Sequence, residues 1–225
     1  MDINSTLEKY IYEEVVPRYA SFDAAHKEDH ALTVIRQAME LLDSRDSWAA
    51  AQAAQAGVEP FWLTAVDRAM LLTAAACHDL GLVNGRDRHH LDSGIIIRAD
   101  QRLREWFSEE QIEVIAQAAE DHRASGKGAP RSIYGMLIAE ADRVIDQETI
   151  IRRTIQFGLK HYPDLCREGQ LQRAGEHLVE KYGRGGYLRL WIPWSSNAAR
   201  LDALQDLIAD PEALKMEVER IYDSL

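Results

Sequence analysis

Residues 69–81 read AMLLTAAACHDLG, a run of small and apolar side chains that ends in a histidine, an aspartate and a glycine. The run is far shorter than the ~20 residues of a membrane-spanning helix. It predicts instead a buried helix that begins near Pro60, continues to about Leu80 and ends at Gly81. His78 and Asp79 lie at the end of this helix, where two polar side chains need partners if they are buried.

Apolar residues recur at helical spacing on both sides of this run, and alternating strand patterns are nearly absent. The apolar repeat that begins at Ile3 is expected to stop at Pro17. Capping residues precede three later helices: Asp92 or Ser93 opens a short helix through Ile97, Ser108 with Gln111 opens a helix to about Arg123, and Ser132 opens a helix through Asp142. The sequence therefore predicts an all-α fold.

A glycine-rich segment, at Gly183, Gly185 and Gly186, breaks the helical pattern in the C-terminal part of the chain. We therefore expect a helical body over residues 1–182 and a C-terminal helical extension over residues 183–225 that packs on it. A chain of 225 residues is long enough to bury a core without disulfides or other cross-links.

Composition excludes several classes of protein. The chain has 26 Lys and Arg against 37 Asp and Glu, a net charge of −11. Non-specific nucleic-acid binding needs a basic surface, and the chain has no apolar signal core, so we expect neither nucleic acid nor a membrane as partner. Its two cysteines, Cys77 and Cys166, form no disulfide framework, which favours a cytoplasmic location. A homodimer is compatible with the sequence.

Four polar side chains have apolar residues beside them at helical spacing: His30, His78, His122 and Asp142. Each lies on a different predicted helix, so the four could converge in the core as ligands do in the metal sites of helical bundles. Alternatives remain for two of them. His122 could stabilise a helix C-terminus, and Asp142 could pair with Arg143 or Arg152.

At these residues the sequence resembles the HD superfamily of metal-dependent phosphohydrolases. The family pattern is a histidine on an early helix, a His-Asp doublet on a later helix and a distant aspartate. His30 in HALTVI, the doublet His78-Asp79 before Leu-Gly, and Asp142 in AEADR match it, over roughly residues 20–145. The resemblance implies an HD-domain helical bundle, a divalent metal ion and a catalytic role for Asp79.

Two further histidines are similar to the extra ligands of dinuclear members such as the HD-GYP phosphodiesterases: His90, followed by Ser93-Gly94, and His122, in EDHR. The implied metal ligands are then His30, His78, Asp79, His90, His122 and Asp142. His89 is the alternative to His90, and the spacing to Gly94 favours His90. Imidazole and carboxylate ligands favour Mn or Fe, and this set implies two ions bridged by Asp79.

Basic residues flank these ligands in the sequence and are candidates for binding a substrate phosphate: Arg86, Arg123, Lys127 and Arg131. The planar guanidinium group matches the geometry of phosphate oxygens. In an acidic chain this positive charge has to act locally. The expected partner is a small phosphorylated substrate.

The resemblance therefore implies a metal-dependent phosphohydrolase that cleaves a phosphate ester of a small molecule, a nucleotide or a nucleotide-derived compound. Leu82 stands where HD-GYP members carry a lysine, and their GYP signature is absent, which argues against cyclic dinucleotides as substrates. Two alternatives are an HD-fold diiron oxygenase similar to myo-inositol oxygenase and a non-catalytic HD ligand-binding module. The complete ligand set argues against the non-catalytic module.

Overall fold

The computed structural model describes residues 3–22, 26–53, 65–123 and 128–225. Within these ranges the chain forms ten α-helices and no β-strand, which confirms the all-α prediction. The helices are α1 Ile3–Tyr10, α2 Glu28–Ala53, α3 Arg68–Cys77, α4 His89–Ala99, α5 Glu109–Asp121, α6 Ile133–Ala141, α7 Gln147–His161, α8 Arg167–Tyr182, α9 Asn197–Ala209 and α10 Pro211–Tyr222.

The chain divides into two compact units, of which the first comprises Met1–Arg143 and Trp191–Ser195. In this unit α2 packs on α3 and α6, and α5 packs on the same two helices. The central helix α3 is buried from Met70 to Cys77, all but its first two residues. Its three successive alanines, residues 74–76, have no exposed surface, and such small side chains let neighbouring helices approach closely.

Local capping chemistry explains where the helices of the first unit begin. The Ser108 hydroxyl accepts from the Gln111 amide and the Gln111 side chain returns a bond to the Ser108 backbone, so the predicted capping box is present. Ser132 caps α6 as predicted. The start of α3 is set by Asp67, whose carboxylate accepts from the amides of Ala69 and Met70. The predicted helix from near Pro60 to about Leu80 is longer than α3, because residues 65–67 are not helical and α3 ends at Cys77, before a 3₁₀-helix over Leu80–Asn84. Pro60 itself lies outside the described residues.

The helical conformation of the N-terminal segment continues past Pro17, contrary to the sequence-based expectation. A π-helix over Ile11–Val15 follows α1 directly, and a 3₁₀-helix over Val16–Ser21 follows the π-helix. Pro17 lies in the first turn of that 3₁₀-helix, where a missing backbone N–H is tolerated.

The second unit comprises Val144–Leu190 and Ser196–Leu225. Here α10 packs on α7, α8 and α9, and α8 also packs on α7 and α9. The division between units lies at residue 143, whereas the glycine-rich segment had suggested residue 183. The reason is that α7 and α8 pack with α9 and α10, a contact between distant parts of the chain that a break in local pattern does not reveal.

None of the helices described above has both the length and the apolar character that crossing a membrane requires.

Candidate metal centre

Three helices of the first unit end at one group of polar side chains. His78 is the C-cap residue of α3, His122 that of α5 and Asp142 that of α6. The unsatisfied carbonyl groups of a helix C-terminus carry partial negative charge, which favours a cation close to the last turn. His30, in the first turn of α2, and Asp79, directly after α3, complete the convergence that the sequence predicted.

The first group, called here the His30 cluster, consists of His30, His78, Asp79 and Asp142. The Nε2 atoms of His30 and His78 lie 3.2 Å apart. The Asp79 Oδ2 atom lies 3.5 Å from the first and 3.4 Å from the second. Asp142 Oδ1 lies 3.3 Å from His30 Nε2 and 3.8 Å from His78 Nε2. Two imidazoles and two carboxylates thus face one small volume.

The second group, the His89 cluster, consists of His89, His122 and the other oxygen of Asp79. The Nε2 atoms of the two histidines lie 3.2 Å apart, and each lies 3.4 Å from Asp79 Oδ1. Asp79 is therefore shared, with Oδ2 facing the His30 cluster and Oδ1 facing the His89 cluster. The spacing of His30, His78 and Asp79, and that of Asp79, His89 and His122, could each hold a metal ion.

The hydrogen bonds around Asp79 support the same interpretation. Asp79 Oδ1 is buried and accepts no hydrogen bond from any described residue, although a buried carboxylate oxygen ordinarily has a partner. Two neutral imidazoles and a carboxylate oxygen are the donors that divalent transition metals accept. The residues present therefore fit a metal ion in each cluster.

Three of the four imidazoles in the two clusters are each oriented by a backbone carbonyl three residues earlier. The Nδ1 atom of His78 lies 2.7 Å from the Ala75 oxygen, and that of His122 lies 2.5 Å from the Ala119 oxygen. His89 Nδ1 lies 2.7 Å from the Arg86 oxygen. Because a carbonyl can only accept, Nδ1 carries the proton in each ring. This leaves the Nε2 lone pair for a metal, the arrangement found around metal-ligating histidines.

The second cluster contains His89, where the sequence analysis had favoured His90. Helix α4 begins at His89 itself, well before the predicted caps Asp92 and Ser93. Successive residues on a helix point about 100° apart, so only one of the two imidazoles can face Asp79. His90 Nδ1 is buried and hydrogen-bonds to no described residue, and burial lowers the pKa of His90 to about 4.

Gly81 explains why α4 begins so close to Asp79. A Cβ atom at residue 81 would lie 2.0 Å from the His89 carbonyl oxygen and 2.5 Å from the Ser93 amide nitrogen. The Gly81 amide donates to the Ser93 hydroxyl at 2.8 Å. Only glycine allows this approach, which brings the first residue of α4 against the turn that carries Asp79.

The electrostatics of the clusters favour positive charge. Burial would lower the pKa of His30, but contacts with Asp142 and Asp79 outweigh it and raise the pKa to about 9. Burial would likewise raise the pKa of Asp79, but His78, His122 and His30 hold it well below its usual range. Burial would also raise the pKa of Asp142, but contacts with histidines outweigh burial and lower it, and the hydrogen bond with His30 contributes most. The two carboxylates thus stabilise a cation at this place.

Exposure differs between the two sides of the centre. Three side chains are at most 4% exposed: His78, Asp79 and His122. Three others retain 15–26% exposure: His89, His30 and Asp142. The centre is therefore open to solvent on the side of His30, His89 and Asp142.

The surroundings of the predicted phosphate-binding residues differ. Arg123 follows His122 directly and donates to the Asp87 carbonyl at 2.6 Å, beside the start of α4. Its positive charge contributes, after burial, to the lowered pKa of His90. Arg86 is exposed, and Lys127 lies outside the described residues.

Arg131 is bound to carboxylates of its own unit. Its Nη2 atom lies 2.6 Å from Glu120 Oε2 and 2.8 Å from Asp121 Oδ1, and its Nε atom lies 3.1 Å from both oxygens of Asp121. It also donates to the Gln117 carbonyl. The guanidinium group is therefore occupied in holding α5, and the geometry does not favour the phosphate-binding role that the sequence suggested.

A family model described as HD domain matches residues 28–145, which is more than half of the chain and includes all six residues of the two clusters. Neither a curated protein nor a solved structure matches the chain.

Proposed function

This chain belongs to the HD-domain family, and on that premise we propose that it is a metal-dependent phosphohydrolase. The proposed substrate is a phosphate ester of a small molecule, of the nucleotide class. The proposed cofactor is a pair of Mn or Fe ions.

One observation carries the proposal: Asp79 presents one oxygen to each of two histidine pairs. The His30 cluster would hold one ion through His30, His78, Asp79 and Asp142. The His89 cluster would hold the other through His89, His122 and Asp79. When bound, two such ions supply Lewis-acid stabilisation of a phosphoryl group and activation of water for in-line attack on phosphorus.

The chain's own side chains supply the rest of the site. The three carbonyl-bound Nδ1 protons hold the imidazoles of His78, His89 and His122 in one orientation. The full burial of His78 and His122 keeps bulk water from the inner side of the centre. Among the described basic residues, we assign the binding of a phosphate oxygen to Arg123, which follows His122 directly and contacts the Asp87 carbonyl before α4.

The proposal is tested with metal analysis and a phosphate-release screen on protein purified without oxygen. We expect Mn- or Fe-loaded wild type to release phosphate from a panel of nucleotides. Asp79→Asn should lose both metal and activity, because the shared carboxylate becomes a neutral amide. Asp43→Asn is the control, since Asp43 is an exposed partner of Arg68.

Two results would contradict the proposal. Full metal content in Asp79→Asn would remove Asp79 from the centre. Oxygen uptake by the loaded protein without phosphate release from any substrate would favour the diiron oxygenase instead.

A further inference from the structure

Tyr19 reaches the metal centre from outside the family domain. It lies in the 3₁₀-helix Val16–Ser21, before the residues 28–145 that match the HD-domain family. Its side chain is fully buried, and its hydroxyl donates to the Ala76 carbonyl at 2.8 Å. The same hydroxyl accepts from the backbone amide of Asp79 at 3.2 Å. A core tyrosine thus contacts the backbone of the shared carboxylate.

The Tyr19 hydroxyl replaces a backbone hydrogen bond that the Asp79 amide would make if α3 continued. If α3 continued, the Asp79 amide would donate to the Ala75 carbonyl four residues earlier. That carbonyl instead faces His78 Nδ1. Asp79 has left helical geometry, with φ −109° and ψ 8°, and its amide would be unsatisfied without the tyrosine. Tyr19 therefore stabilises the point at which the chain leaves α3.

Packing around Tyr19 gives its hydroxyl a defined position. The Phe22 ring packs edge-on against the tyrosine ring at 5.2 Å, and the His78 ring lies 6.4 Å away. The preceding π-helix carries Ile11 and Val15 into the same core. A π-helical turn followed by a 3₁₀ turn changes the rotation of the chain, and such turns are frequent at functional sites.

We propose that Tyr19 is a positioning residue of the metal centre. It holds the backbone of Asp79 so that the carboxylate serves both histidine pairs, which makes the N-terminal segment a working part of the site. This inference rests on the proposed metal binding, but not on the proposed hydrolysis.

The test compares Tyr19→Phe with Tyr10→Phe. Tyr10 is also a buried tyrosine of this segment, and its hydroxyl donates to Asp100, which belongs to neither cluster. Each variant loses one hydroxyl and its hydrogen bonds, so both should lower the melting temperature. Metal-free protein is titrated with Mn²⁺ by calorimetry. We expect roughly 10-fold weaker Mn²⁺ binding in Tyr19→Phe, the scale seen when a residue that orients a metal ligand is replaced, and wild-type binding in Tyr10→Phe.

The outcomes separate this inference from the proposed function. Wild-type Mn²⁺ affinity in a folded Tyr19→Phe variant would overturn the positioning role, as would equal losses in both variants. Weaker binding in Tyr19→Phe alone supports the role even if no phosphate ester is hydrolysed. A wild type that binds neither Mn²⁺ nor Fe²⁺ would overturn both.

A second measurement decides the question if Tyr19→Phe does not fold. The Asp79 amide lies beyond the last α-helical residue, so its protection from hydrogen exchange depends on the tyrosine oxygen. We expect slow exchange of this amide in the wild type. Exchange as fast as that of an exposed amide would overturn the inference.

Discussion

Replacing Gly81 by alanine should remove the His89 cluster and leave the His30 cluster intact. The added Cβ would lie 2.0 Å from the His89 carbonyl oxygen and 2.5 Å from the Ser93 nitrogen. Both are backbone atoms, so no side-chain rotation relieves the clash. Ordinary contact begins near 3.4 Å, and the start of α4 must therefore move by roughly 1.4 Å.

A displacement of this size is large for a metal site. Ligand positions in such sites are held within about 0.5 Å, so His89 would no longer share a ligand sphere with His122 and Asp79. His30, His78 and Asp142 come from α2 and from the ends of α3 and α6, whereas the three atoms nearest the added Cβ all belong to α4. Overpacking also costs about 1–3 kcal/mol of the free energy of unfolding.

The assay is metal stoichiometry by elemental analysis after loading with Mn²⁺, together with urea unfolding. We expect two ions in the wild type and one in Gly81→Ala. Gly175→Ala is the control, because a Cβ there meets no atom within 4 Å. Two ions in Gly81→Ala with a folded chain would refute the reasoning that glycine brings α4 to the centre.

Two further substitution series follow. His89→Ala should reduce the metal content from two ions to one while His90→Ala keeps both, and elemental analysis showing the reverse would restore the sequence-based choice. Arg123→Glu should raise KM for a phosphorylated substrate without changing metal content, whereas Arg131→Glu should mainly lower the free energy of unfolding, by about 1 kcal/mol, in urea titrations. The charge reversal Glu217→Arg serves as control in steady-state kinetics, and an equal rise of KM in all three variants would remove the case for a local phosphate site.

The all-α fold and most of the residues of the two candidate clusters could be predicted from the sequence. The apolar run before His78-Asp79 indicated a buried helix, and the capping residues Ser108 and Ser132 indicated where α5 and α6 begin. Apolar residues precede His78, His122 and Asp142 in the sequence because each of the three is the C-cap of a helix with a buried face. Periodicity and capping are local properties, so the sequence alone reveals them.

Other features depend on contacts between distant parts of the chain. The choice of His89 over His90 follows from the approach of Gly81 to α4, which no helix pattern encodes. The contact of Tyr19 with Asp79 joins residues 60 positions apart. The role of Arg131 depends on Glu120 and Asp121, whose orientation on α5 emerges only in the folded structure.

The most direct test of the central claim is the electron paramagnetic resonance spectrum of the Mn²⁺-loaded protein, with the metal quantified in the same sample. A carboxylate shared by two ions couples their spins, so the account predicts two Mn²⁺ per chain and an exchange-coupled spectrum that Asp79→Asn abolishes. One Mn²⁺ per chain, or two with the spectrum of isolated ions, would contradict the claim that Asp79 joins the His30 and His89 clusters into one dinuclear centre.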